Sequence, residues 1–393
     1  NDVTVWCECE NCREVDSPED KLLHSRGTRV WHFANAVTRK AKQENPNCVI
    51  YGMAYQNFQA PPTAVKIEPD LNVFLAFNRR CWRHAIDDPG CLTNIVYNSH
   101  YKAWAAQKTP AICWEQVDHA GARFLPIERE VAHTLKYYKS LGNVNGSYPE
   151  VFAPGMKLNR QKYSKMSLEA WLGMWQAMYV FAAFQWDIDL DYEKTLEEIN
   201  SLYYGYGWQG GMKEFRKLME KTSIETPGCF GHGHSAPLGR LLSSPEVYHK
   251  LLGYLDAAEK AAVQDPDKRA LMHVQRDREY FALTWEKALK EYQESYRELH
   301  LYRAEAQPLI DGILDDAVWK DADTLSNFRN IKSQVPIAQT IVKASYDDEN
   351  LYIGIEALEP QMDDIVANIK TDDGEIWLDN AVEIFINVPM QEE

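Results

Sequence analysis

Short apolar runs alternate with amphipathic ones along the first 155 residues. "CVIYGMAY" (48–55), "LNVFLAF" (71–77), "PAICWEQ" (110–116) and "VNGSYPEV" (144–151) have the length and β-branched or aromatic content of buried strands. Between them, "RVWHFANAVTRKAKQ" and "EREVAHTLKYYKSLG" space their apolar residues three and four apart, which predicts helices. Strand following helix at this pitch predicts a parallel sheet with crossover helices, either doubly wound or closed into a barrel. From 156 to 303 the period is helical throughout: "SLEAWLGMWQAMYVFAAF", "DYEKTLEEINSLYY", "SPEVYHKLLGYLDAAEKAAV" and a long run over 267–300, with Ser167 and Ser244-Pro245 as start signals. At Ala304 the period switches to two. "TIVKASYDDENLYIGIEA" is a hairpin around Asp347-Asp348-Glu349-Asn350, and "AVEIFIN" (381–387) alternates as a strand that would bury Val382, Ile384 and Ile386 in a sandwich core. The expected organisation is thus α/β over 1–155, α-helical over 156–303 and an antiparallel β-sandwich over 304–393.

Composition narrows the partners. The 393 residues carry 42 Lys and Arg against 58 Asp and Glu, a net charge of −16, with no basic stripe; this argues against nucleic acid and anionic membrane surfaces. The longest uncharged run, Ala170–Trp186, is broken by Gln176 and Gln185 and falls short of a span, so no membrane insertion is expected. Twelve Trp, 21 Tyr and 13 Phe suit either an aromatic core or stacking on sugar rings. Oligomeric state is not legible in the chain.

In parallel α/β folds the residues at the C-terminal ends of strands build the site. Here those are Tyr55, then Arg79, Arg80 and His84 of "NRRCWRH", then Trp114 and Glu115, and finally Tyr148 and Glu150. Two carboxylates beside arginines, a histidine and aromatics suit glycosidic chemistry, in which a carboxyl acid works with a base or nucleophile. Glu115 and Glu150 are expected on one end of the sheet with Arg79, Arg80 and His84 between them. Each is also readable as an ordinary loop acid.

Metal ligands are not expected. Cys7, Cys9 and Cys12 in "CECENC" lack a second pair at zinc-like spacing, and Cys48, Cys81, Cys91, Cys113 and Cys229 are scattered along the chain. Asp187, Asp189, Asp191 and Glu198 imitate a calcium loop but place Tyr192 where that loop needs glycine; acids at a helix start read better. His232 and His234 in "GCFGHGH" read as loop residues.

"DVTVWCECENCR", "HFANAVTRKAKQENPNCVIYGMAYQNFQAPP", "NRRCWRH" and "WDIDLDYEKTLEEINSLYYG", in that order, resemble the domain of unknown function 4838 over roughly residues 1–220. That resemblance implies a barrel from a bacterial polysaccharide-degrading system, similar in architecture to glycoside hydrolase family 20, whose second half would be visible here. It implies a secreted or periplasmic protein, places Asp2 where the related hydrolases keep an Asp-Glu pair, and places Glu150 in their strand-eight sugar-binding position. Val3 stands in place of the Glu, and Tyr148 in place of a Trp. "PLIDGILDDAVWKDA", "KASYDDENLYIGIEA" and "WLDNAVEIFIN" resemble the first half of carbohydrate-binding module family 9. That resemblance implies that Trp377 stacks on a sugar, that Glu383 takes its hydroxyls, and that Asp372, Asp373 and Asp379 are candidates for a structural calcium. Both resemblances lead to the expectation that the chain is a fragment of a longer protein. The expected function is O-glycosyl hydrolysis of a polysaccharide or oligosaccharide, the alternative a non-catalytic sugar-binding protein on a degenerate barrel, with no cofactor.

Overall fold

The computed structural model describes residues 7–386 apart from 8, 78, 116, 118–122, 151–163, 232–233, 236–237, 296–298, 327, 329–337, 372–373, 375 and 385. The chain forms two compact units, Asn1–Glu294 and Ser295–Glu393.

The first unit is built on four parallel strands, β1 (Ile50–Tyr55), β2 (Leu71–Ala76), β3 (Ala111–Glu115) and β4 (Val144–Pro149), lying side by side in chain order. Helices α1 (Gly27–Glu44), α2 (Leu92–Ala106) and α3 (Glu128–Leu141) precede or connect them. Because neighbouring strand residues point to opposite faces, the two central strands each have one buried row and one more accessible row. Val73 and Leu75 of β2 and Ala111, Cys113 and Glu115 of β3 are buried, while Asn72, Phe74, Ile112 and Trp114 between them are half-buried. The buried row packs under helices: Trp31 of α1, wholly buried, lies against Gly52 of β1 and edge-on to Trp104 of α2 at 5.1 Å.

The expected helical stretch shares this core rather than forming a separate one. It contains α4 (Ser164–Trp186), α5 (Tyr192–Tyr204), α6 (Lys213–Glu225), α7 (Pro245–Ala262), α8 (Lys268–Phe281) and α9 (Lys287–Ser295). Asp191 caps α5 by accepting the Lys194 N–H at 2.9 Å, so the acids there serve a helix start. Helix α4 begins at Ser164, ahead of the expected Ser167, and a π-type turn at Ala282–Glu286 interrupts the long run expected over 267–300. A buried polar network spans five helices. Arg216 meets Glu128 and Gln176, Gln176 reaches Asn200 at 2.7 Å, and Tyr204 donates to Asp277 at 2.6 Å. Burial pushes the Asp277 carboxyl up to about 6.

In the second unit β7 (Thr340–Tyr346) and β8 (Leu351–Ala357) form the expected hairpin. Asp347 closes it by accepting the N–H groups of Glu349 and Asn350 and the Tyr352 hydroxyl. The short strands β5 (Tyr302–Arg303) and β6 (Thr324–Leu325) pair with β7, β5 in parallel, so the sheet is mixed rather than purely antiparallel. Trp319 is buried and packs over Gly354. The pairing of Tyr302–Arg303 explains why this unit begins ahead of the expected Ala304.

One expectation fails here. Residues 381–384 form no strand, and Val382, Ile384 and Ile386 are 53%, 51% and 62% exposed. Alternation licenses a strand only where a neighbour supplies ladder bonds and a cover for the apolar face, and among the described residues nothing pairs with this segment.

A Cβ added at Gly52 would stand 2.5 Å from the Trp31 ring. Gly52→Ala should therefore overpack the α1–β1 contact at a cost of about 1–3 kcal/mol, read as a lowered unfolding midpoint in denaturant; an unchanged midpoint would show that the ring yields freely.

Candidate functional site: an aromatic sheet face and a buried ion pair

The accessible row of the first sheet is aromatic. Trp114 stands opposite Tyr148 in register, stacks on Tyr55 at 6.3 Å between centroids, and tilts against Phe74 at 6.0 Å. Tyr51, Met53 and Tyr148 on this face are 46%, 42% and 56% exposed. The Trp114 indole N–H is buried and, among the described residues, has no hydrogen-bond partner. Sequence reading reached Tyr55, Trp114 and Tyr148 but missed Phe74, Tyr51 and Met53. A count of alternate positions along β1 and β2 would have found them, but the continuous apolar runs of those strands hide that period.

Glu115 and Glu150 do lie at the same end of the sheet, since the Glu150 N–H donates to the Glu115 carbonyl at 2.6 Å. Their carboxylates are differently placed. Glu115 is one residue from Trp114 and so points to the helix side, 2% exposed. Its Oε2 accepts from Arg80 Nε and Nη2 at 3.1 and 3.0 Å, and its Oε1 accepts from the Tyr138 hydroxyl, which in turn lies 2.7 Å from the Tyr101 hydroxyl. Arg80 is 1% exposed, with its guanidinium 3.3 Å from the centre of the Trp82 ring. Burial works against the Arg80 charge, but the Glu115 carboxylate more than compensates and holds the guanidinium above its usual range. The hollow beside them, lined by Val131, Thr134, Leu135 and Phe181, has no room for a water molecule. Glu115 and Arg80 are thus withdrawn from the rim, as one member of an ion pair neutralising the other. Glu150, half-buried, follows Tyr148 by two residues and so continues the aromatic row.

The remaining candidates scatter. Arg79 is exposed beside the rim. His84 turns away from it, with Nδ1 3.3 Å from Cys81 Sγ. Hydrogen bonds to the Cys229 and Cys81 thiols outweigh burial and push its imidazole up to about 10. The cysteines expected as scattered include three, Cys81, Cys91 and Cys229, that meet here, because loops far apart in the chain fold together. Asp2, Asp372 and Asp373 lie outside the described residues. Trp377 falls in a helical turn, Ile376–Leu378, and its side chain lies outside the described part. Glu383 is exposed. Asp379 accepts the Ile369 N–H at 2.7 Å, so that oxygen serves the loop. Among the described residues no helix is long and apolar enough to cross a membrane.

A parallel sheet with an aromatic face, followed by a hairpin-based mixed sheet, defines an α/β protein with an appended β unit. The chain belongs to the family described as "Domain of unknown function (DUF4838)", whose model matches residues 1–208. Residues 310–392 match "Carbohydrate family 9 binding domain-like", which points to carbohydrate binding. No curated protein and no solved structure matches the chain.

The burial of Glu115 carries a direct expectation. Removing one member of a buried pair strands the other, costing about 3–5 kcal/mol, whereas replacing both with apolar residues is far milder. Glu115→Leu should destabilise the chain strongly in denaturant unfolding, and Arg80→Met combined with Glu115→Leu should recover much of the loss. Equal losses in the single and double variants would count against the pair.

Proposed function

We propose that the chain belongs to a carbohydrate-processing protein that holds a polysaccharide or oligosaccharide on the aromatic face of its first sheet, and whose second unit is a β-sandwich sugar module. The observation that carries this reading is the row Tyr55, Phe74, Trp114 and Tyr148 on one accessible face. Aromatic faces take sugar C–H faces, while polar edges and a nearby carboxylate take hydroxyls. Glu150 supplies that carboxylate. Residues 1–155 of the first unit are the C-terminal half of a (β/α)8 glycosidase-type barrel, with the helical region over 156–303 packed on it. Strands in chain order, with helices against one face, support it; a doubly wound sheet reverses its order at a switch point. In such a barrel the aromatic face lines the lumen, and Glu150 stands at the mouth that TIM-type enzymes use.

Hydrolysis of an O-glycosyl bond needs two carboxyl groups across the bond. Glu150 is one, and Asp2 is its candidate partner. The non-catalytic alternative draws support from Glu115, which is already committed to Arg80. A polymeric substrate fits a secreted or periplasmic bacterial protein. In the second unit, Trp377 and Glu383 are the proposed sugar contacts, with a structural calcium at Asp372, Asp373 and Asp379.

Calorimetry against soluble oligosaccharides, with an aryl-glycoside panel for turnover, tests both readings. Trp114→Ala should weaken binding about tenfold to a hundredfold, the loss of one stacked ring; no change would remove the sheet face from the site. Glu150→Gln should abolish turnover while binding survives, whereas an inactive parent protein that still binds sugar selects the non-catalytic alternative. Trp377→Ala should lower affinity for soluble sugar without unfolding the second unit, and its unfolding instead would return this Trp to a structural role.

A further inference from the structure

Four side chains that sugar chemistry does not use converge in the first unit. Cys81 and His84 come from the loop after β2, Cys91 from the start of α2, and Cys229 from the segment after α6; all four ligand atoms lie within 4.8 Å of one another. Cys81 Sγ is 3.3 Å from His84 Nδ1, and Cys91 Sγ is 3.6 Å from Cys229 Sγ. A tetrahedral zinc, with bonds of about 2.3 Å to sulfur and 2.0 Å to nitrogen, sets its ligand atoms roughly 3.5–3.8 Å apart. We propose that Cys81, His84, Cys91 and Cys229 bind a structural zinc ion that ties the β2–α2 loop to the segment following α6.

The surroundings are built for such a set. Asn94, wholly buried, accepts the Cys81 N–H at 2.8 Å and donates to the carbonyls of Cys81, His84 and Ala85, fixing the backbone that presents two ligands. The Phe230 N–H donates to Cys81 Sγ at 3.4 Å, the outer-shell contact that a coordinated thiolate accepts. Arg83 is 4% exposed and clamps the carbonyls of Ser223, Thr226 and Gly228, directly ahead of Cys229. Among the described residues no carboxylate pairs with this buried guanidinium. Once metal binding has displaced the His84 proton, three thiolates and a neutral imidazole around a divalent ion carry one net negative charge, which would balance it. Cys₃His is a closed donor set with no position left for water or substrate, so the ion would hold structure rather than react. Zinc also follows from the ligand softness and the tetrahedral arrangement. Cys7, Cys9 and Cys12 also approach one another but lie at the surface, and among the described residues no fourth ligand joins them; they serve as the control.

The proposal stands apart from what the aromatic face binds. Elemental analysis of the full chain carrying Cys7→Ser, Cys9→Ser and Cys12→Ser should find one zinc per chain, and adding Cys229→Ser should remove it. Because that variant could unfold, zinc-edge X-ray absorption of the otherwise unmodified protein gives a second reading, with three sulfurs and one nitrogen expected around the ion. Removing zinc with a chelator should lower the melting temperature, and adding zinc back should restore it. A metal-free triple variant, a Cys91–Cys229 disulfide found by non-reducing mass spectrometry, or a zinc edge without sulfur neighbours would each overturn the assignment.

Discussion

The charge pair between Arg80 and Glu115 is the constraint around which the first unit is arranged. It pins the loop after β2 to the end of β3, and once Arg80 points inward its neighbours have little choice. Trp82 covers the guanidinium, Arg83 reaches the carbonyls ahead of Cys229, and Cys81 and His84 turn toward the sulfur cluster. Desolvating two charges is expensive, and the attraction between them offsets it only when the remaining lone pairs are satisfied. Tyr138 and Tyr101 extend the network for that purpose, though among the described residues Arg80 Nη1 has no hydrogen-bond partner.

The same pair divides the sheet chemically. One face commits its polar groups to holding helices in place; the other keeps its aromatic rings accessible. β3 shows the division most clearly, because Trp114 and Glu115 are consecutive and serve opposite layers. Burial of Glu115 is therefore what leaves the open face to stacking, with Glu150 rather than Glu115 as the carboxylate beside it.

Much of this was legible in the chain. The four strands follow from short apolar runs, and the hairpin and most helices from periods of 2 and 3.6, since local apolar spacing reflects which side of an element is covered. Three things were not. Taking Trp114 and Glu115 into one site ignored that consecutive strand residues face opposite sides of the sheet. The strand at 381–387 had the right pattern, but a pattern does not supply a partner. Meanwhile Cys91 and Cys229, 138 residues apart, carry no spacing signal, because their meeting depends on how α6 and the β2–α2 loop pack.

Gly231 sits where a Cβ would come 2.1 Å from the Arg80 carbonyl, so the chain just beyond Cys229 lies directly on the Arg80 loop. On a growing chain this has a temporal meaning. The sheet strands leave the ribosome well before residue 231 does, and the entropy of closing so long a loop rises only slowly with its length. The delay thus matters more to rate than to final stability. Until the later segment arrives, the loop that orients a buried arginine, two cysteines and a histidine has no lid, and its thiols face whatever redox conditions the nascent protein meets.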